Sequence, residues 1–283
     1  MIKFGPSGSC EEFHAQNFKK TADGVNWLKE RGVDLYEYSF GRGVNISRES
    51  AQETGKAFAS VGIEMSVHAP YFINLATIED QKKENNVKYI MDSLQALRNF
   101  GGNRCVFHPG SPVKLERSEA MSILLNSFEK IVALKHEYGY DDLYLCPETM
   151  GKEAQLGTLD EIIEMVKIGD DTIIPCIDYG HLNARDQGII KTKDDYKRII
   201  DRLIDGIGFE KTAKQHVHFS KIMYSAKGEV KHLTFDDDQY GPEFEPLMEV
   251  FYEYKMNPFV VCESAGTQTR DSMMMKNYYN SLK

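Results

Sequence analysis

The sequence predicts a (β/α)8 barrel, and three observations carry that expectation. Eight short β-rich runs alternate with amphipathic stretches from one end of the 283 residues to the other. No Pro/Ser-rich linker, repeat or low-complexity segment interrupts the alternation, so residues 1–283 are expected to form one barrel domain of the usual size. Six of the eight runs end in a metal-binding residue type, and this fold builds its active site at the C-terminal ends of its strands. A doubly wound open sheet is the rival fold. It normally uses fewer strands and a Gly-rich first turn, and Gly5-Pro-Ser-Gly8 is too short for that fingerprint.

The strand runs are Ile2–Phe4, Val33–Ser39, Ile63–Ala69, Arg104–His108, Leu143–Glu148, Ile173–Asp178, His216–Ser220 and Pro258–Glu263. Between them the apolar spacing predicts helices over Ser47–Ser60, Gln81–Phe100, Glu119–Tyr138, Asp160–Lys167, Asp194–Ile207, Glu243–Tyr254 and Asp271–Ser281. Thr158-Leu-Asp-Glu161 has the spacing of a capping box, and Thr192-Lys-Asp-Asp195 is a looser version. Gly32, Gly62 and Gly101-Gly102 stand where helices should stop.

Composition narrows the function less than the pattern does. With 34 Lys and Arg against 43 Asp and Glu the net charge is -9, so no global positive field advertises nucleic acid, although a local groove or bound cations could supply one. No run of about 18 apolar residues exists, and the N-terminus lacks a signal-peptide layout, so a cytoplasmic protein with no membrane contact is expected. Cys105, Cys146, Cys176 and Cys262 lie inside apolar runs without CxxC spacing. They read as reduced, packed thiols rather than metal ligands.

The strand ends carry the chemistry. They are His68 in SVHAPY, His108 in VFHPGS, Glu148 in LCPETMGK, Asp178 in CIDYGH, His218 in HVHFSK and Glu263 in VVCES. Residues two apart on a strand point the same way, and behind four of these ends lie Val106, Cys146, Cys176 and Val261, small apolar residues suited to a barrel interior. Carboxylates beside imidazoles over an apolar interior need pairing or a metal, and this mix suits Zn, Mn or Fe rather than Mg or Ca. His181 and His232 follow two of the strands. His216 shares the parity of His218 one layer lower, which points to a supporting role. Tyr71 stands on the loop above, where an aromatic can stack on a base or wall off a substrate.

The ordered set SVHAPYFINLA, VFHPGS, PETMGK, IDYGH, the His218 strand and VCES resembles the endonuclease IV family of apurinic/apyrimidinic endonucleases. That resemblance implies a zinc-dependent barrel enzyme cutting double-stranded DNA 5′ to abasic sites, acting as a monomer with two or three zinc ions. It implies that His68, His108 and Glu148 hold the first metal, and Glu148 with Asp178, His218 and Glu263 the second. His181 and His232 match ligands of the third, Tyr71 matches the tyrosine that enters DNA, and Glu148 and Glu263 are the catalytic carboxylates. Arg42, Arg185 and Lys221 are candidates for holding the phosphates. One departure falls at the third metal: where the family has Asp-x-His, Val230 stands two before His232, and only Glu229 could substitute if the chain shifts by one residue. The alternative is a sugar isomerase or epimerase of the same superfamily, whose single metal needs only Glu148, Asp178, His218 and Glu263.

Overall fold

A computed structural model describes residues Met1–Lys283. All eight expected strands form: β1 (Lys3–Pro6), β2 (Leu35–Ser39), β3 (Glu64–His68), β4 (Arg104–Phe107), β5 (Tyr144–Pro147), β6 (Cys176–Asp178), β7 (His216–Phe219) and, after a hairpin of β8 (Ile222–Ser225) with β9 (Gly228–His232), β10 (Phe259–Cys262). Strands β2-β3-β4-β5 pair in parallel, as do β6-β7-β10-β1. Isolated bridges close the two sheets into a ring. Ser7 with Glu37 joins β1 to β2, and Leu145 with Ile173 and Glu148 with Cys176 join β5 to β6. The structure is thus a (β/α)8 TIM barrel, and no helix is long and apolar enough to cross a membrane.

The long helices fall close to the expected spans: Arg48–Ser60, Asp80–Phe100, Arg117–Glu137, Leu159–Ile168, Lys193–Ile207, Glu245–Glu253 and Gln268–Ser281. Both capping boxes are made. Thr158 Oγ1 accepts the Glu161 N–H at 3.2 Å while Glu161 Oε2 accepts the Thr158 N–H at 2.9 Å, and Thr192 and Asp195 repeat the exchange. The crossover from β1 to β2 uses short helical pieces, Glu11–Ala15 and Val25–Glu30, that the apolar spacing did not pick out, although Gly32 marked a stop. Residues 222–232, which none of the expected strand or helix runs covers, form the β8–β9 hairpin.

Strand alternation sorts the core. Tyr36, Val67, Cys105 and Leu145 pack outward with the helices, as do Ile177, Val217 and Val260 on the other half. The opposite parity fills the barrel, where Val106, Cys146, Ile174 and Cys176 make one small cluster and Leu35, Phe259 and Val261 another. At the lower end the Arg104 guanidinium lies 3.7 Å from the Phe259 ring centre and donates to the Gln215 carbonyl at 3.2 Å. All five cysteines are buried and free, and burial pushes the Cys146 thiol up to about 12, so it stays protonated and inert.

Gly5 sets the distance between β1 and β2, because a Cβ there would stand 1.6 Å from the Leu35 carbonyl oxygen. Backbone cannot yield as a side-chain tip can, so Gly5→Ala is expected to lower stability by about 2 kcal/mol or more. Urea unfolding checks this, and a loss under about 0.5 kcal/mol would show that the β1–β2 seam relaxes freely.

Candidate metal centre

Glu148, on the turn out of β5, is the hub. It is buried, and its two carboxylate oxygens face different partners. Oε2 lies 3.0 Å from His68 Nε2 and 3.2 Å from His108 Nε2, while Oε1 lies 2.9 Å from His218 Nδ1. His68 ends β3, His108 follows β4 and His218 belongs to β7 of the other sheet, so both halves of the barrel meet on one carboxylate. Asp178 and Glu263 complete a group with Glu148 and His218 whose ligand atoms all fall within 4.8 Å of one another.

The imidazoles share one pattern, in which the outer nitrogen is held by the protein and the inner one faces the carboxylates. The outer Nδ1 of His68 donates to the Ala69 carbonyl at 2.7 Å, that of His108 to the Tyr71 carbonyl at 3.2 Å, and that of His181 to the Thr149 carbonyl at 2.9 Å. His232 Nδ1 lies 2.8 Å from the Ser220 hydroxyl, and His218 Nε2 lies 2.8 Å from Glu37 Oε1. Fixing the outer nitrogen orients the ring and leaves the inner one to bind, the arrangement by which proteins hold metal-ligating histidines.

A third group, His181, Glu229 and His232, stands beside the first two. Simple alternation would put Glu229 and His232, three apart, on opposite faces of β9. A bulge prevents this: Met223 pairs with Lys231 but Tyr224 pairs with Glu229, which leaves Val230 as the extra residue. Val230 therefore turns outward, 52% exposed, and Glu229 Oε2 comes within 3.4 Å of His181 Nε2. The one-residue shift that the sequence allowed for is thus the conformation found. Gly151 makes room for it, since a Cβ there would lie 2.7 Å from the Glu229 Cβ and 2.9 Å from His181 Cδ2.

The electrostatics match a site built for cations. Burial opposes charge on every one of these groups, yet His181 is raised to about 9 by Asp178, Glu229 and Glu148, and His68 and His218 are raised by the same kind of neighbour. The imidazoles in turn hold Glu148 well below the usual carboxylate range despite its burial. Asp178 is the exception, pushed up by burial. Its Oδ1 caps the helix Tyr179–Arg185 by accepting the His181 N–H at 2.7 Å, while Oδ2 is buried without a hydrogen bond, 3.3 Å from His181 Nδ1. A buried carboxylate oxygen without a hydrogen bond, within an imidazole–carboxylate cluster, fits a divalent ion, and the nitrogen-and-oxygen donor set suits zinc, manganese or iron.

An open cavity of about 350 Å³ stands above these groups, with Tyr71, Lys152 and Gln155 in its walls. Tyr71 is 61% exposed. Of the three basic residues expected to hold phosphates, Arg42 alone is exposed and makes no ion pair. Arg185 is corrected to a structural role, since its guanidinium donates to the carbonyls of Met150, Lys152, Glu153 and Gln155 at 2.8 to 3.2 Å and so clamps the loop after β5. Lys221 is corrected likewise: it is buried, donating to the Asp237 carbonyl at 2.7 Å and pairing with Glu243 at 2.8 Å. Lys152 was not singled out in the sequence, yet it lines the cavity and has no carboxylate partner.

Glu37 was also missed. It is fully buried in the middle of β2, 2.8 Å from His218 and 3.0 Å from His216. His216 itself is lowered to about 4 by burial and stays neutral. Looking only at strand ends could not find a residue two positions lower, although its inward parity in LYEYS was available.

The model of the xylose isomerase-like TIM barrel family matches residues 25–278. The chain belongs to that family. An uncharacterized protein of Methanocaldococcus jannaschii is 29% identical over 286 residues, covering 100% of this chain and 98% of its own. A "Probable endonuclease 4" of Mycoplasmoides gallisepticum is 25% identical over 215 residues, 72% of this chain, and the match spans only 65% of that protein. Among solved structures, a D-tagatose 3-epimerase-like protein superposes with a TM-score of 0.75 at 20% identity, covering 99% of this chain and 98% of its own. At that identity the likeness is one of fold.

Two expectations follow for this TIM barrel. Cations compete with protons for the raised imidazoles, so apparent zinc affinity should climb from pH 6 towards pH 9, where His181 itself loses its proton, and calorimetry in buffers of different ionisation heat should show protons released on binding. Affinity independent of pH would contradict the protonated, metal-free site. Glu229→Ala should lower bound zinc by about one ion per chain while Val230→Asp adds none; elemental analysis after dialysis reads both, and equal content in wild type and Glu229→Ala would remove Glu229 from the site.

Proposed function

We propose that this member of the family is a metal-dependent phosphodiesterase that cuts duplex DNA on the 5′ side of abasic sites. The observation that carries the reading is the two-sided use of Glu148, with His68 and His108 on one oxygen and His218 on the other. His68, His108 and Glu148 would hold one ion, Glu148, Asp178, His218 and Glu263 a second, and His181, Glu229 and His232 a third. Such ions lower the pKa of a bound water and stabilise the leaving oxygen of a phosphodiester. The chain's own groups do the rest. Glu148 and Glu263 are the catalytic carboxylates at the reacting centre, and the anchored imidazoles keep Glu148 deprotonated. Tyr71 offers an exposed ring for a base to stack on, and Arg42 and Lys152 offer unpaired charges to phosphates. The cavity suits one nucleotide turned out of the helix rather than an intact duplex.

A second reading, epimerisation of a free sugar, is favoured by one observation: Glu148, Asp178, His218 and Glu263 form a complete four-ligand cluster by themselves. In that chemistry His68 and His108 have no ligand duty. His108→Ala separates the two readings. As a nuclease the variant should lose nearly all cleavage of a duplex with one abasic site, whereas a single-metal epimerase should keep its metal and turn over ketoses.

Glu148→Ala should reduce cleavage by at least about a thousandfold, because Glu148 would serve two ions and its loss would remove several kcal/mol of transition-state stabilisation. Retention of more than about a tenth of the rate would remove Glu148 from the centre. For DNA binding, Lys152→Ala should weaken affinity and reduce the slope of log affinity against log salt by about one. An unchanged slope would show that Lys152 touches no phosphate.

A further inference from the structure

We propose that Glu37 is a positioning residue for the metal centre, fixing from inside the barrel which nitrogen of His218 faces Glu148 and Glu263. The proposal rests on the metal-binding reading of the site and is independent of which reaction the site performs. Glu37 Oε1 lies 2.8 Å from His218 Nε2, which commits that nitrogen as a donor. Nδ1 is thereby aimed at Glu148 Oε1, 2.9 Å away, and Glu263 Oε2, 3.5 Å away. The other oxygen of Glu37 accepts the Ser66 hydroxyl at 2.9 Å and lies 3.0 Å from His216 Nε2, so both oxygens of the carboxylate are engaged.

His218 differs from the other imidazoles of the cluster. Their hydrogen bonds go to neutral partners, three carbonyls and one hydroxyl, although His181 Nδ1 also lies 3.3 Å from Asp178 Oδ2. His218 is fully buried, hydrogen-bonds to a carboxylate through Nε2, and belongs to the four-ligand group where Asp178 Oδ2 has no hydrogen bond. Without Glu37, either ring nitrogen could carry the proton, and the form with hydrogen on Nδ1 would present it to an incoming cation. An anionic acceptor also makes the ring a stronger donor to the metal than a carbonyl does. A purely structural role accounts for Glu37 poorly. The interior of the barrel is filled elsewhere by Leu35, Val106 and Cys146, and an apolar side chain there would avoid the desolvation that a buried carboxylate incurs.

The test compares wild type, Glu37→Gln and Glu37→Leu. The metal-free thermal midpoint reports the fold, and stepwise zinc affinities are measured by chelator competition. Cadmium-113 NMR of cadmium-loaded protein adds a signature of each donor set. The isosteric Glu37→Gln should fold and weaken one class of zinc site by about 10 to 100-fold, with one cadmium resonance moved and the resonance of the His181–Glu229–His232 group unmoved. Glu37→Leu should weaken the same site further, and where it fails to fold, Glu37→Gln carries the test. Unchanged affinities and spectra in folded variants would overturn the proposal, as would equal weakening of every site, which marks a general loss of packing. Wild type that binds no zinc would overturn this proposal together with the metal reading on which it rests.

Discussion

The barrel mouth is governed by the need to neutralise buried carboxylate charge. Glu148 has almost no contact with water, Asp178 and Glu263 stand close to it, and Glu37 and Glu229 reach the same imidazoles from further out, through His218 and His181. Removing such a group from water costs on the order of several kcal/mol unless partners answer its charge. Here the partners are imidazoles, and the raised pKa of His68, His181 and His218 is the other half of the same balance. Protons on imidazole and divalent cations are interchangeable answers to that field. The donor atoms of the array are accordingly gathered within reach of one another.

The scaffold delivers these groups with little freedom. Parallel strands in register send every second residue inward, so an apolar lower interior passes upward into Glu37, Ser66 and His216 and then into the hub. Glu148 is also a closing point of the ring, bridging to Cys176 where β5 meets β6, so the geometry of the hub and the closure of the barrel are tied together. The loop beyond it is pinned from two sides. Arg185 holds four of its carbonyls, and Arg117, itself bound to both oxygens of Glu161, holds those of Glu153 and Gln155. The hairpin docks against the same loop through the Glu229 N–H to the Gly151 carbonyl at 3.0 Å, so the Glu229 backbone is anchored to the loop that follows the hub.

What the sequence made legible was what repeats. Eight runs, their parity and their polar ends define the barrel and bring His68, His108, Glu148, Asp178, His218 and Glu263 to one place. What it left hidden depended on local irregularity or on long-range contact. The bulge at Val230 breaks the alternation by which β9 would be read, and no residue type there demands it. Glu37 sits inside a strand, where its meaning comes from His218, 181 residues away in sequence. Arg185 and Lys221 looked like free charges because composition cannot show which carbonyls or acids a long side chain will meet. The short helical pieces before β2 carried too little apolar period to be seen.

The central claim is that one buried carboxylate is shared by more than one metal ion. The most direct test is a crystal structure of the zinc-loaded protein with anomalous data collected on both sides of the zinc edge. The account predicts separate peaks on the two sides of Glu148, one beside His68 and His108 and one among Asp178, His218 and Glu263, with a further peak between His181, Glu229 and His232. A single peak within the Glu148, Asp178, His218 and Glu263 group, with none beside His68 and His108, would contradict it.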